Sequence, residues 1–160
     1  MKEKFMKLSM FTTEQWLPRT PEELFPFFAD AKNLEELTPD WLRFKILNPP
    51  GSIREGTRID YRLRLHGIPL RWQSEITVWD PPRRFVDVQR SGPYRTWIHE
   101  HRFEPRNGGT VIQDQVQYAP IGGELVRRLL VAPDLEKIFR FRRERLERLF
   151  GPGTHWNVAS

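Results

Sequence analysis

Apolar and polar residues alternate along the middle of this chain with a period of two. Between 57 and 66, Ile59, Tyr61, Leu63 and Leu65 fall on one face, and Arg58, Asp60, Arg62 and Arg64 on the other. That is the pattern of a half-buried strand. A turn at His66-Gly67-Ile68-Pro69 leads into a second strand over 70–79, with Leu70, Trp72, Ser74, Ile76 and Val78 inward. Pairing the two sets Arg62 beside Glu75 on the wet side. Three more strands are predicted near 84–91, 95–104 and 110–118, separated by Ser-Gly-Pro-Tyr and Asn-Gly-Gly turns. Residues 8–17 form the first strand, which Pro18 ends. The whole is an antiparallel meander with one dry face.

Helical signals flank the meander. Thr20 is an N-cap, Pro21 the first helical residue, and Glu23 completes a capping box. Leu24, Phe25, Phe27 and Phe28 supply the buried side, while Pro26 is expected to remove a hydrogen bond and kink the helix. Asn33 is expected to cap a second short turn through Leu37, ended by Pro39. A last helix ends near Phe150, with Leu135, Ile138, Phe139, Leu146, Leu149 and Phe150 on one side. Leu125, Val126, Leu129 and Leu130 do not continue that stripe, so Pro133 is expected to break or kink it. Gly151-Pro152-Gly153 stops the helix, and 151–160 are expected to form a mobile tail on a single domain spanning 1–150. A long helix laid across the concave side of a curved antiparallel sheet buries both dry faces, which makes an α+β fold.

Composition narrows the classes. A chain of 160 residues without cysteine excludes disulfide scaffolding, Cys-based zinc sites and thiol nucleophiles. It also buries roughly 70% of its unfolded surface, enough for a core or an internal cavity. Six Trp and eleven Phe give a small domain something bulky to pack or bind. The net charge of +5 is spread among interleaved acids, unlike the block or stripe of a nucleic-acid binder. The longest apolar runs, Leu24 to Ala29 and Leu129 to Pro133, fall far short of the roughly 20 residues that span a bilayer. The Met-Lys-Glu-Lys-Phe-Met start shows no apolar signal core, so a cytoplasmic protein is expected.

Several stretches together resemble one superfamily. They are Asn33-Leu34-Glu35-Glu36-Leu37-Thr38-Pro39, Ile59-Asp60-Tyr61-Arg62-Leu63-Arg64-Leu65 and Trp79-Asp80-Pro81-Pro82-Arg83-Arg84-Phe85-Val86-Asp87. Gly92 to Phe103 and Ile138-Phe139-Arg140-Phe141-Arg142 complete the set. In this order, over about residues 8 to 150, they resemble the START-like, polyketide cyclase/dehydratase (SRPBCC, helix-grip) superfamily, in its bacterial ligand-binding SRPBCC branch. The resemblance implies a curved sheet of about seven strands wrapped around a long C-terminal helix, with two short helices after the first strand. It implies a cavity between sheet and helix for an apolar or amphipathic molecule, such as a lipid, a quinone or a polyketide-like compound. It does not fix the chemistry, since carriers, receptors and cyclases share the fold.

The candidate chemistry sits on the last strands. His99 and His101 share a face with Arg95, Trp97 and Phe103 because strand side chains repeat every second residue. Asp114 shares the dry face of the next strand with Ile112, Val116 and Tyr118. A two-residue turn at Asn107-Gly108 sets His101 opposite Asp114; a slip of two sets His99 there. On the preceding strand, Asp87 and Gln89 fall on the same side as Phe85, with Asp87 beside Trp97 or His99.

Two histidines and two aspartates on an apolar wall must be paired, or face water or ligand. One function is a satisfied network that orients a bound carbonyl or hydroxyl. The other is acid–base catalysis by His99 or His101 with Asp114, as a cofactor-free cyclase or dehydratase needs. His-x-His with carboxylates is also a metal-ligand pattern, but the resemblance does not suggest a metal, and no metal or cofactor is expected. Arg142 stands where the helix stripe calls for leucine; it either snorkels to solvent or enters the cavity to meet Asp87, Asp114 or an acidic ligand group. Tyr61, Trp72, Ser74, Trp97 and Tyr118 complete the expected ligand contacts. A third function, docking of the basic face on RNA, ribosome or anionic membrane, requires steep salt dependence.

Overall fold

The computed structural model describes residues 7–152. A seven-stranded antiparallel sheet runs in the order β1-β7-β6-β5-β4-β3-β2. Its strands are β1 (Ser9–Leu17), β2 (Lys45–Ile46), β3 (Arg58–Leu65), β4 (Ile68–Asp80), β5 (Arg84–Ser91), β6 (Tyr94–Arg106) and β7 (Gly109–Pro120). Helices α1 (Pro21–Phe28) and α2 (Asn33–Glu36) follow β1, and α3 (Gly123–Val126) and α4 (Ala132–Phe150) follow β7. The two-residue strand β2 lies outside the ranges that alternation marked. No helix among the described residues is long and apolar enough to cross a membrane.

The capping box on α1 forms as the sequence predicts. Glu23 N–H donates to Thr20 Oγ1 at 3.3 Å, and Thr20 N–H to Glu23 Oε2 at 2.7 Å. Thr20→Ala is expected to lower stability by about 1 kcal/mol in urea unfolding; an unchanged midpoint would mean that packing alone holds α1. Pro26 lies inside α1 without ending it, on the exposed side. The carbonyl to which it cannot donate, that of Glu22, belongs to an exposed residue too. Asn33 is not a cap: it is the first residue of α2, and its Nδ2 donates to Phe27 O at 2.9 Å, closing the end of α1.

Turn length and bulges correct the strand phases. His66-Gly67 alone joins β3 to β4, with φ of 49° and 78°, the two left-handed residues of a type I′ hairpin. Arg62 therefore opposes Arg71, and Glu75 opposes Arg58 and also binds Arg90 Nε at 2.7 Å. The register between β4 and β5 shifts between Ile76 and Val78. Trp79, rather than Val78, then packs on the core beside Phe25 and Phe85. A further shift, in β6 between Tyr94 and Thr96, sends Arg95 into solvent and brings Tyr94 against Trp72 and Trp97.

Pro133 does not break the C-terminal helix. The backbone stays helical from α3 through Arg127–Val131 into α4, and Arg127–Val131 is a π-helical turn. Bonding to i+5 absorbs the donor that proline lacks, and it rotates the apolar stripe. This is why Leu125, Leu129 and Leu130 fall off the stripe and are exposed. The described part of the expected tail, Gly151 and Pro152, leaves α4 with Gly151 in an extended conformation; the rest lies outside the described residues.

The core has two poles. Phe25, Phe27 and Phe28 of α1 pack with Ile76, Phe85, Phe103 and Ile112 of the sheet and with Leu146 and Phe150 of α4. At the other end Ile59, Tyr61, Leu63 and Trp72 gather with Leu42 and Ile46. Val116 and Tyr118 lie under Leu135 and Phe139 of α4.

Candidate functional site

Three adjacent strands and α4 assemble one polar cluster. In the β-ladders Asp87 stands opposite His99, and His101 opposite Asp114. Arg142 reaches them from α4. His99, His101, Asp114 and Arg142 are 4–7% exposed, so their polar groups must satisfy one another.

They do so closely. Asp114 Oδ1 lies 2.8 Å from His99 Nε2 and 3.0 Å from His101 Nδ1. Asp87 Oδ2 lies 2.9 Å from His101 Nε2 and 3.7 Å from His99 Nδ1. Arg142 Nη2 is 3.3 Å from His101 Nδ1 and 3.7 Å from Asp114 Oδ1, while its Nε is buried without a hydrogen-bond partner. The imidazoles are 3.6 Å apart between centroids, and Phe85 stacks on His101 at 4.0 Å.

The cluster separates the charge states of its members. Burial, then the neighbouring His101, pushes His99 below the usual imidazole range, against the opposing effect of its hydrogen bond to Asp114. Burial acts the same way on His101, but its hydrogen bonds to Asp114 and Asp87 reverse the sign and raise it. Burial alone would raise Asp114; Arg142 and the two histidines instead hold it well below the carboxylate range. Asp87 is lowered too, since His101, His99 and Arg142 outweigh its desolvation. The two carboxylates and Arg142 thus set opposite charges against the desolvation that each member of the cluster bears.

One side of this cluster lines a pocket of about 210 Å³ between the sheet, α2 and α4. Asp87, His99, His101 and Arg142 face it, and Trp72, Trp97, Tyr94, Phe44, Ile53 and Ile138 form part of its walls. A second cleft of about 290 Å³, lined by Phe11, Thr13 and Gln15 of β1, reaches Asp114 and Arg142 from behind. Arg142 and Phe139 thus stand between the two spaces. Arg142 enters the interior rather than snorkelling, with its guanidinium 5.5 Å from the Phe28 ring centroid and 6.0 Å from that of Phe139.

The structure brings together most of the residues singled out by sequence, and leaves two apart. Tyr61, Trp72, Ser74 and Trp97 line the pocket. Ser74 Oγ accepts from Trp72 Nε1 and bonds Tyr61 Oη, each at 3.0 Å, which satisfies all three. Burial, then the charge of Asp87, raises the Tyr61 phenol well above its usual range, so it stays protonated. Gln89 does not line the pocket; its amide donates to Tyr94 O at 2.7 Å and accepts from Tyr94 N–H at 3.1 Å. A Cβ on Gly92 would come within 2.5 Å of that amide oxygen, so a larger residue there would displace the Gln89 side chain from these bonds. Tyr118 is buried beneath Leu135 and Phe139 and does not line the pocket either. Asp114 meets the histidines from behind. Tyr94 was missed because the bulge that turns it inward leaves no mark in the alternation.

A protein-family model described as "Polyketide cyclase / dehydrase and lipid transport" matches residues 17–147. No curated protein sequence matches. Among solved structures, protein Ms6760 from Mycobacterium smegmatis superposes with a TM-score of 0.65 at 16% identity, over 88% of this chain and 89% of that one. TTHA0849 from Thermus thermophilus gives 0.60 at 24% identity, over 88% and 98%. Ginseng major latex-like protein 151 from Panax ginseng gives 0.68 at 8% identity, over 91% and 99%. At these identities the likeness is one of fold.

Proposed function

The chain belongs to the polyketide cyclase / dehydrase and lipid transport family, and from that premise we propose that it binds an apolar, ring-bearing small molecule in the pocket. The molecule's oxygen-bearing end rests against His99 and Asp87. The observation that carries this is the joining, in one concave space, of an aromatic wall to buried ionisable groups. Trp72 and Trp97 meet edge to face at 5.2 Å, a rigid surface for stacking a flat ring. A ligand carbonyl or hydroxyl beside Asp87 and His99 fixes the orientation that apolar walls leave free.

Native mass spectrometry of gently purified protein, followed by titration with a naphthyl ketone while Trp fluorescence is recorded, tests the proposal. Binding quenches the fluorescence at one molecule per chain. Ile138→Trp fills the pocket from α4 and is expected to weaken binding by about 10- to 100-fold, the cost of overpacking 1–3 kcal/mol into the ligand's space. A bare chain in the mass spectrum, with no response to ketone, quinone or fatty acid, removes the proposal.

A second reading has its own observation: His99 is a buried imidazole, hydrogen-bonded to Asp114 and facing the pocket. Such a pair can take and return a proton, as a cyclase- or dehydratase-type lyase requires. His99→Ala, His101→Ala and Asp114→Asn, made separately, would each lower kcat on an identified substrate; full turnover in all three rejects catalysis by the pair.

A further inference from the structure

We propose that Asp87, His99 and His101 form a site for one divalent transition-metal ion at the polar end of the pocket. The site goes beyond the ligand-binding proposal and does not depend on it, because it is tested with metal alone and no organic ligand.

The donor atoms converge. One ring nitrogen of each histidine and an Asp87 carboxylate oxygen all lie within 4.8 Å of one another, and Asp87 Oδ2 is 2.9 Å from His101 Nε2 and 3.7 Å from His99 Nδ1. Atoms each bound at about 2.0–2.2 Å to one ion, at tetrahedral or octahedral angles, are about 3.0–3.5 Å apart, so the observed separations bracket that range. Rigid elements set this convergence: the histidines share a face of β6, and Asp87 opposes His99 on β5.

The partners behind the donors point the same way. The other nitrogen of each ring, His99 Nε2 and His101 Nδ1, lies at 2.8 and 3.0 Å from one oxygen of Asp114. When His99 Nε2 and His101 Nδ1 donate to Asp114, His99 Nδ1 and His101 Nε2 are left facing Asp87, and an ion there replaces the proton that His101 Nε2 shares with Asp87, which is released to solvent. A carboxylate behind the ligating imidazole, fixing tautomer and ring orientation, is the usual outer support of a histidine metal site. One Asp114 oxygen serves both rings. The contact of Arg142 Nη2 with His101 Nδ1 at 3.3 Å gives way in that tautomer to its pairing with Asp114 at 3.7 Å.

The open side faces the pocket. Asp87, His99 and His101 all line it, whereas Asp114 does not. Two imidazoles and one carboxylate leave positions for water or for oxygen donors, and this donor set suits Zn²⁺, Fe²⁺, Co²⁺ or Mn²⁺. A ligand carrying a carbonyl, an enolate or a carboxylate can complete the shell from the apolar side.

Chelator-treated protein titrated with Co²⁺ alone tests the site. The expected result is one Co²⁺ per chain, with d–d absorption of a nitrogen–oxygen site and displacement by Zn²⁺. Asp87→Ala and His99→Ala should each abolish stoichiometric binding, Asp114→Asn should weaken it about 10- to 100-fold, and His66→Ala should leave it intact. Imidazole ¹⁵N spectra of the unmutated protein guard against variants that misfold: Zn²⁺ should move the His99 and His101 resonances. No stoichiometric Co²⁺ binding, binding that survives both Asp87→Ala and His99→Ala, or ¹⁵N shifts confined to other histidines overturns the proposal.

Discussion

Arg142→Met is expected to lower folding stability by about 3–5 kcal/mol, although the new side chain fits the space of the old. Methionine keeps the apolar stem, so what is lost is the charge. Arg142 is the cation that lies 3.7 Å from Asp114, whose side chain is 6% exposed. Without it, buried Asp114 and half-buried Asp87 keep only the two imidazoles as partners. The unpartnered Nε of Arg142 already costs the native state something, which places the effect toward the low end. Urea unfolding of Arg142→Met, Asp114→Asn and the double variant separates charge pairing from packing. Pairing predicts that the double variant loses less than the sum of the singles, with a coupling of at least about 1 kcal/mol. Strict additivity would show that the two groups do not interact.

Phe25→Ala should destabilise by about 3–5 kcal/mol, for a different reason. Phe25 is 4% exposed and meets three rings edge to face: Trp79 at 5.1 Å, Phe85 at 6.0 Å and Phe103 at 5.2 Å. Removing it leaves a cavity between α1 and strands β4, β5 and β6, which rigid strands cannot close. Phe85, which stacks on His101, loses its backing as well. The variant should therefore also broaden the His101 ring resonance in NMR spectra at temperatures where it remains folded. A loss below about 1 kcal/mol would mean that α1 can settle into the gap.

Local geometry was readable wherever one element decided it. Period-two alternation put His99 beside His101 and set Asp114 on the dry face of β7. The helix wheel put Arg142 in the apolar stripe of α4, and Thr20 with Glu23 marked the start of α1. The turn Asn107-Gly108 was readable as one of two registers. The structure has the two-residue turn, with positive φ at both positions, and His101 opposite Asp114. The alternatives proved compatible: His99, two residues along, also reaches Asp114, because diagonal cross-strand neighbours lie within range of long side chains. Alternation failed where an extra residue entered a strand, at Thr77 and Arg95, since a bulge reverses the phase of everything beyond it. Inward parity also overstated the pocket. Tyr118 points inward but lies under α4, and Gln89 is taken up by the turn before Tyr94.

The sequence by itself therefore determined the α+β order of elements apart from β2, the dry face of each unbulged strand, and which ionisable residues lie on it. Each depends on backbone periodicity and on signals a few residues apart. Tertiary structure alone decided that two aspartates from different strands and an arginine from the helix close on the same two imidazoles. Those contacts join residues up to 41 positions apart, as between His101 and Arg142. Their energies come from burial and charge that no single element carries, and so the charge state and the donor directions of the site exist only once sheet and helix are packed.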